Sequence, residues 1–157
     1  MKSIALFLLA LVSLNTWAES PAVYEKSVDQ NLEAAYKGVY KALESNGFKV
    51  VYEIDMLENL TKFAAKKGVK DFNLNQLEGI KSMVFCNGAL AVKISNADPT
   101  MLAMCPLHLT LTKKAGRATI LFVRPSFIAH GSKAEAPAKE LEEKVIKAIE
   151  SGLSAAQ

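Results

Sequence analysis

The chain has 157 residues, of which 50% are hydrophobic and 22% charged, with 19 basic and 16 acidic side chains and a formal net charge of +3. This length suits one domain with a hydrophobic core of its own. Basic and acidic residues nearly balance, and the sequence has no concentrated basic stripe of the kind that nucleic-acid-binding proteins use. We therefore expect no nucleic-acid partner.

Residues 1–18 have the layout of a secretory signal peptide. Lys2 precedes an apolar run that ends at Leu14, and small residues stand at Thr16 and Ala18, after which we expect cleavage. Removal takes away Lys2 and no acid, so the net charge falls from +3 to +2. The run is about eleven residues, shorter than the roughly 20 of a spanning helix. The sequence therefore predicts a periplasmic or secreted single domain, residues 19–157, without stable membrane insertion.

A short strand is predicted at the start of the mature chain, over residues 23–27, and an amphipathic helix follows. Apolar side chains recur there at helical spacing. The helix is predicted to begin at a cap formed by Ser27 with Gln30, or by Asp29 alone, and to end at Gly47.

A second strand and a second helix follow directly. Apolar side chains alternate from Phe48 to Ile54, which predicts a strand with one mainly buried face. The helix is predicted to be capped by Asp55, with Glu58 three residues on, and to end at Gly68.

The second half of the chain predicts a short helix between two strands, then a hairpin and a long helix. The strand "IKSMVFC" precedes a short helix with Asn87 as its N-cap. The segments "PLHLTLT" and "RATILFVR" flank a hairpin turn at Gly116. Pro137, at a first-turn position, opens the last helix and Gly152 is predicted to end it.

This order of elements predicts an α+β domain with a mainly antiparallel sheet and its two long helices on one face. Both alternate faces of "RATILFVR" are largely apolar. We therefore expect both faces to be covered, one by helices and the other by intervening segments, a ligand or a second subunit of a homodimer.

Four segments carry a family resemblance through their order and spacing. They are "GFKVVYEID" (47–55), "FCNGALAVKISNADP" (85–99), "MCPLHLTL" (104–111) and "FVRP" (122–125). They resemble the family of domain of unknown function 302, DUF302. The resemblance implies a fold like that of the TATA-box-binding protein, with strand, helix, four strands and helix in succession, and implies no settled activity. Fold likeness does not bring DNA binding with it.

The sequence departs from the family pattern at two positions near its motifs. Gly88 stands where many relatives have a proline after the cysteine and asparagine. Arg124 stands where an aspartate often precedes the proline of the last strand. An acidic role at the second position is therefore not expected in this chain.

The two cysteines, Cys86 and Cys105, form the candidate site. Cys86 ends one predicted strand and Cys105 begins the next, so antiparallel pairing would bring the sulfurs to one end of the sheet. In an oxidising compartment the simplest interpretation is a structural disulfide. Closing a loop of about 20 residues would stabilise the fold by roughly 3 kcal/mol.

Two alternatives give the pair a chemical role. Cys86, beside Asn87 at a helix N-terminus, lies where backbone N–H groups favour a thiolate, which would suit thiol-redox chemistry. Cys105 lies close in sequence to Met104 and His108, and thiolate, thioether and imidazole suit copper or another soft metal. Strand parity argues against the metal site, because His108 alternates to the face opposite Cys105.

The leading hypothesis is an exported, non-enzymatic binding or accessory module with a Cys86–Cys105 disulfide and no cofactor. Its partner is expected to be a small molecule or a protein. A periplasmic thiol-redox or soft-metal-handling protein that uses Cys86 and Cys105 is the alternative, with Asn87, Met104 and His108 as binding residues near the pair.

Overall fold

The structure is a computed structural model that describes residues 22–155. The predicted signal peptide and its cleavage site lie outside the described residues. No helix between residues 22 and 155 is long and apolar enough to cross a membrane.

Five strands form one antiparallel sheet. They are β1 (Val23–Val28), β2 (Lys49–Asp55), β3 (Gly79–Cys86), β4 (Leu107–Lys114) and β5 (Arg117–Val123). Their order across the sheet is β1-β5-β4-β3-β2, so β1 and β2 are the edge strands. The helices are α1 (Leu32–Ser45), α2 (Met56–Lys67), α3 (Gly88–Ala97), α4 (Pro125–Ile128) and α5 (Glu135–Ala155), and a 3₁₀ segment spans Pro99–Met104.

The predicted fold class is confirmed. Strand, helix, four strands and helix follow one another as the family resemblance implies, with α2, α3, the 3₁₀ segment and α4 inserted between them. The 3₁₀ segment and α4 were not predicted, because each is too short to show a hydrophobic period.

The main core lies between α1, α5 and one face of the sheet, the helix face. Successive strand residues point to opposite faces. Alternate residues of β4 and β5 therefore enter the core, and all are buried: Leu107, Leu109, Leu111, Ala118, Ile120 and Phe122. The other face, the second face, carries the residues between them.

Helices α1 and α5 approach each other closely at Gly152. A Cβ placed there would lie 2.5 Å from the carbonyl oxygen of Gly38 and 2.7 Å from the Cα of Val39. The predicted helix end at Gly152 is therefore wrong, since α5 continues to Ala155. Gly152 stands at a contact between helices that has no room for a side chain.

Two of the three predicted helix caps are confirmed. Asp55 accepts a hydrogen bond from the backbone N–H of Glu58 at 2.9 Å, and Asn87 caps α3. The predicted cap of α1 is wrong, because β1 continues through Ser27, whose hydroxyl lies 2.8 Å from that of Thr119 on β5. The cap of α1 is Asn31 instead.

The second face is only partly covered in the single chain. Helix α2 contacts β3, and its one buried residue, Ala64, lies outside the main core cluster. At the end of β5, the side chain of Val123 remains 39% exposed. The sequence led us to expect cover on both faces of β5, and the described chain does not supply all of it.

Candidate functional site

Cys86 and Cys105 lie at the same end of the sheet, as predicted, but both are free thiols. The last pair between β3 and β4 joins Phe85 to Leu107, so Cys86 is level with Pro106 and one residue out of step with Cys105. Phe85 points into the core, which places Cys86 toward the second face.

Cys105, in contrast, packs against the core on the helix face. Cys105 lies between the 3₁₀ segment and β4, outside both elements, and the two cysteines are not within disulfide distance. A disulfide would require the backbone to move. The structure therefore contradicts the predicted Cys86–Cys105 disulfide.

The environment of Cys105 does not activate its thiol. Burial raises the pKa of Cys105, and the neighbouring Cys86 raises it further. A thiol needs its thiolate form to attack disulfides or electrophiles. Cys105 is therefore poorly prepared for the thiol-redox role.

Both polar atoms of the Asn87 side-chain amide form hydrogen bonds within the protein. Its Oδ1 accepts the backbone N–H of Leu90 at 3.0 Å, and its Nδ2 donates to the carbonyl oxygen of Gly47 at 3.0 Å. The predicted N-cap role is confirmed. The second bond, which the sequence did not predict, ties the start of α3 to the turn between α1 and β2.

Met104 and His108 do come together, on the wall of a cleft of about 190 Å³ that we call the end cleft. His108 is exposed, whereas Met104 is almost buried. The cleft is lined by Ala103, Met104, Pro106, Leu107, His108, Phe122, Val123, Pro125 and Ile128. Cys86, Asn87 and Cys105 do not line it, so the predicted site residues separate into two groups.

The strand parity predicted for Cys105 stays a prediction, because β4 begins at Leu107 and the alternation of a strand does not extend to Cys105. His108 is exposed on the second face, while Cys105 packs into the core. Within the described part of the chain, no three His, Cys, Asp or Glu side chains group so that they could hold a metal ion. Soft-metal binding through thiolate and thioether ligands stays a prediction.

A row of side chains crosses all five strands beside the end cleft. Val23 lies opposite Val123, His108 opposite Val84, and Val84 opposite Tyr52. Val123 and His108 both line the cleft and so connect the two halves of the row. We call these five residues the cross-strand row. Val123 is 39% and Tyr52 63% exposed, so the row presents an apolar surface to solvent.

An irregularity in β2 places Tyr52 in this row. The pairing of β2 with β3 shifts between Val50 and Tyr52, so Val51 is an extra residue. Beyond it the alternation is inverted, which turns Tyr52 to the second face and Glu53 to the helix face. The sequence predicted the reverse for both residues, because an unbroken period of two was assumed.

A buried ionic network fixes α4, which forms one wall of the end cleft. Glu142 of α5 is 3% exposed, and its carboxylate accepts hydrogen bonds from Arg124 Nε at 2.8 Å and from the backbone N–H of Ser126 at 3.0 Å. The hydroxyl of Ser126 also donates to it. The network holds Pro125 and Ile128 in the cleft wall.

Glu142 remains ionised despite its burial. Burial alone raises its pKa, but the hydrogen bonds from Ser126 and the guanidinium of Arg124 outweigh burial and lower the pKa below the ordinary glutamate value. The role of Glu142 was not predicted from the sequence. Its spacing from Ala138 and Val145 places it within the apolar stripe of α5, and an acid in such a stripe is the signal that could have found it.

Comparison with known proteins identifies the family. The sequence matches the family described as "Domain of unknown function DUF302" over residues 24–152. A crystal structure of an uncharacterised conserved DUF302 protein from Bacillus stearothermophilus is similar, with a TM-score of 0.71 and 16% identity over 83% of this chain and 98% of that one. At this identity the likeness shows the fold alone. No curated protein matches the chain. The chain belongs to the DUF302 family.

Proposed function

We propose that this chain is an exported binding module that holds an apolar group of a ligand or partner protein in the end cleft and along the cross-strand row. The observation that carries the proposal is the composition of the cleft. Its lining residues are apolar apart from His108, and it lies beside a sheet face that residues 22–155 leave partly uncovered. Export through the predicted signal peptide is part of the proposal.

The size of the end cleft limits what can enter it. A dry apolar cavity of about 150 Å³ is known to bind benzene in another protein. The end cleft, at about 190 Å³, therefore suits one aromatic ring or one branched aliphatic side chain. The rest of a larger ligand would lie along the row toward Tyr52.

The exposed apolar groups at the site would supply the binding energy. Val123 is 39% and Ile128 46% exposed, so each still has a substantial area to bury. Completing the burial of such a side chain contributes roughly 1 kcal/mol, about half of the value for full burial. The imidazole of His108 can add one hydrogen bond and so orient the ligand. A single-ring ligand is therefore expected to bind with a Kd on the order of 1 mM.

The test is an NMR titration of ¹⁵N-labelled protein with benzyl alcohol, an uncharged single-ring probe. We expect saturable shift changes at the backbone amides of Leu107, His108 and Val123. The variant Ile128→Glu places a charge in the cleft wall and should weaken binding at least about tenfold. Phe127→Glu is the matched control, because Phe127 lies beside Ile128 on α4, is 50% exposed and does not line the cleft.

Two results would contradict the proposal. One is the absence of saturable binding, and the other is equal weakening by Ile128→Glu and Phe127→Glu. A second copy of the chain is an alternative occupant of the same surface. Sedimentation velocity distinguishes it, because a dimer that dissociates in the Ile128→Glu variant would assign the surface to self-association.

A further inference from the structure

A separate groove lies on the helix face, between α1 and the edge of the sheet at β2. Its volume is about 350 Å³, at the lower end of the roughly 300–1,000 Å³ range of small-molecule sites. Every lining residue is charged or a tyrosine: Glu33, Tyr36, Lys37, Tyr40, Lys41, Glu53 and Lys81. We call it the tyrosine–lysine groove. It shares no residue with the end cleft.

Contacts within the protein fix one side of this groove. Tyr36 is 6% exposed, and its hydroxyl donates a hydrogen bond to the carbonyl oxygen of Ser82 at 3.4 Å and lies near the carboxylate of Glu53. Lys81 forms an ion pair with Glu33, and its Nζ lies 5.5 Å from the centre of the Tyr36 ring. These four side chains hold one another in place.

Tyr36 stays protonated in this arrangement. Burial and the nearby carboxylate of Glu53 raise the pKa of Tyr36 above its usual range. A carboxylate has about four lone-pair positions that can accept hydrogen bonds, more than one neighbouring hydroxyl can use. A carboxylate that can accept further hydrogen bonds therefore faces the groove.

The other side of the groove carries positive charge that the protein does not neutralise. Lys37 and Lys41 lie one helical turn apart on α1, and neither forms an ion pair with any residue between 22 and 155. Like charges at this spacing repel each other. Tyr40 lies beside them and offers an aromatic surface. An anion placed between the two lysines would relieve their repulsion.

We propose that the tyrosine–lysine groove binds a single-ring hydroxylated aromatic carboxylate. The carboxylate lies between Lys37 and Lys41, the ring packs on Tyr40, and the ring hydroxyl donates a hydrogen bond to Glu53. Each of the three contacts uses a group that the protein leaves available. The inference is independent of the end cleft and its apolar ligand.

The probe is 4-hydroxybenzoate, added to ¹⁵N-labelled protein in an NMR titration. Saturable shift changes are expected in α1 and β2, with none at the end cleft. The double variant Lys37→Ala/Lys41→Ala should raise the Kd at least about tenfold, because it removes the charge-assisted hydrogen bonds to the carboxylate. Lys66→Ala/Lys67→Ala is the charge-matched control, and all four lysines are exposed, so both variants should fold.

Two further comparisons test the ring and the hydroxyl. Benzoate, which lacks the hydroxyl, should bind several-fold more weakly than 4-hydroxybenzoate, and Glu53→Gln should reduce that difference. Inorganic phosphate should compete poorly, because it has no ring to pack on Tyr40.

Three outcomes would overturn the proposal. The first is the absence of saturable shifts in α1 and β2. The second is equal weakening by the two lysine double variants, which would indicate a general effect of net charge. The third is competition by phosphate at the concentration at which 4-hydroxybenzoate binds, which would leave a simple anion site without aromatic recognition.

Discussion

The contact between α1 and α5 at Gly152 makes a sharp prediction about stability. Substitution by alanine adds one methyl group, which would stand 2.5 Å from the carbonyl oxygen of Gly38, whereas ordinary contacts begin at 3.4 Å. The atoms that it meets are backbone atoms of α1, so no side-chain rotation can make room. The two helices must separate by about 0.9 Å, and a gap of that size forfeits about a quarter to a half of the dispersion energy of the atoms across it.

The expected loss of stability follows from two opposing effects. Overpacking costs about 1–3 kcal/mol, and a backbone obstacle places Gly152→Ala at the upper end of that range. Alanine is better than glycine inside a helix by about 1 kcal/mol, which offsets part of the cost. The free energy of unfolding should therefore fall by about 2 kcal/mol, equivalent to a decrease in Tm of about 6 °C for a domain of this size.

Urea denaturation monitored by circular dichroism measures this change, with Gly88→Ala as the control. Gly88 begins α3, and a Cβ there would meet nothing within 4 Å. Gly88→Ala should leave stability unchanged or raise it by up to about 1 kcal/mol. If Gly152→Ala also proved neutral or stabilising, α1 and α5 could not approach as closely as described.

Three further predictions concern polar groups and thiols. Glu142→Gln should destabilise the protein by about 2 kcal/mol at pH 7. Because the pKa of Glu142 is lowered, this stabilisation is fully present above the ordinary value of 4.5 and is lost as the pH falls through the lowered pKa. The free energies of unfolding of the variant and the parent protein, measured by urea denaturation, should therefore converge in acid. Asn87→Ala should lower the free energy of unfolding by about 1 kcal/mol or more in thermal melts, since it removes a helix cap and the bond to Gly47. In a Cys86→Ser variant, alkylation of Cys105 at pH 8, followed by mass spectrometry, should be slower than that of N-acetylcysteine because burial raises its pKa; a rate equal to the reference would contradict this.

The sequence predicted the elements that carry a strong period or a turn residue. The helix period of α1, the cap at Asp55 and the turn at Gly116 were sufficient to obtain the α+β order. Elements of four to six residues, such as α4, have no detectable period. Gly152 was misread because a glycine that ends a helix and a glycine that lets two helices touch look alike in sequence.

The candidate site was less predictable because it depends on register. One extra residue, Val51, inverts the rest of β2, and this moves Tyr52 into the cross-strand row and Glu53 into the tyrosine–lysine groove. Alternation within a strand shows which residues share a face, but it does not show where a bulge interrupts the pattern. Both proposed binding surfaces therefore depend on the extra residue in β2, which the alternation of apolar side chains does not reveal.

The placement of the two cysteines was predictable only in part. Adjacent antiparallel strands did bring Cys86 and Cys105 to one end of the sheet, as the order of elements required. Whether two such residues can bond depends on the separation of their Cα atoms and the directions of their Cβ atoms, which the order of elements does not give. Here Cys105 lies outside β4 and packs against the core, while Met104 and His108 line the end cleft without either sulfur. The chemistry at this end of the sheet is accordingly expected to come from apolar contact and one imidazole, and a free-thiol count of two in protein purified without reductant would agree with that assignment.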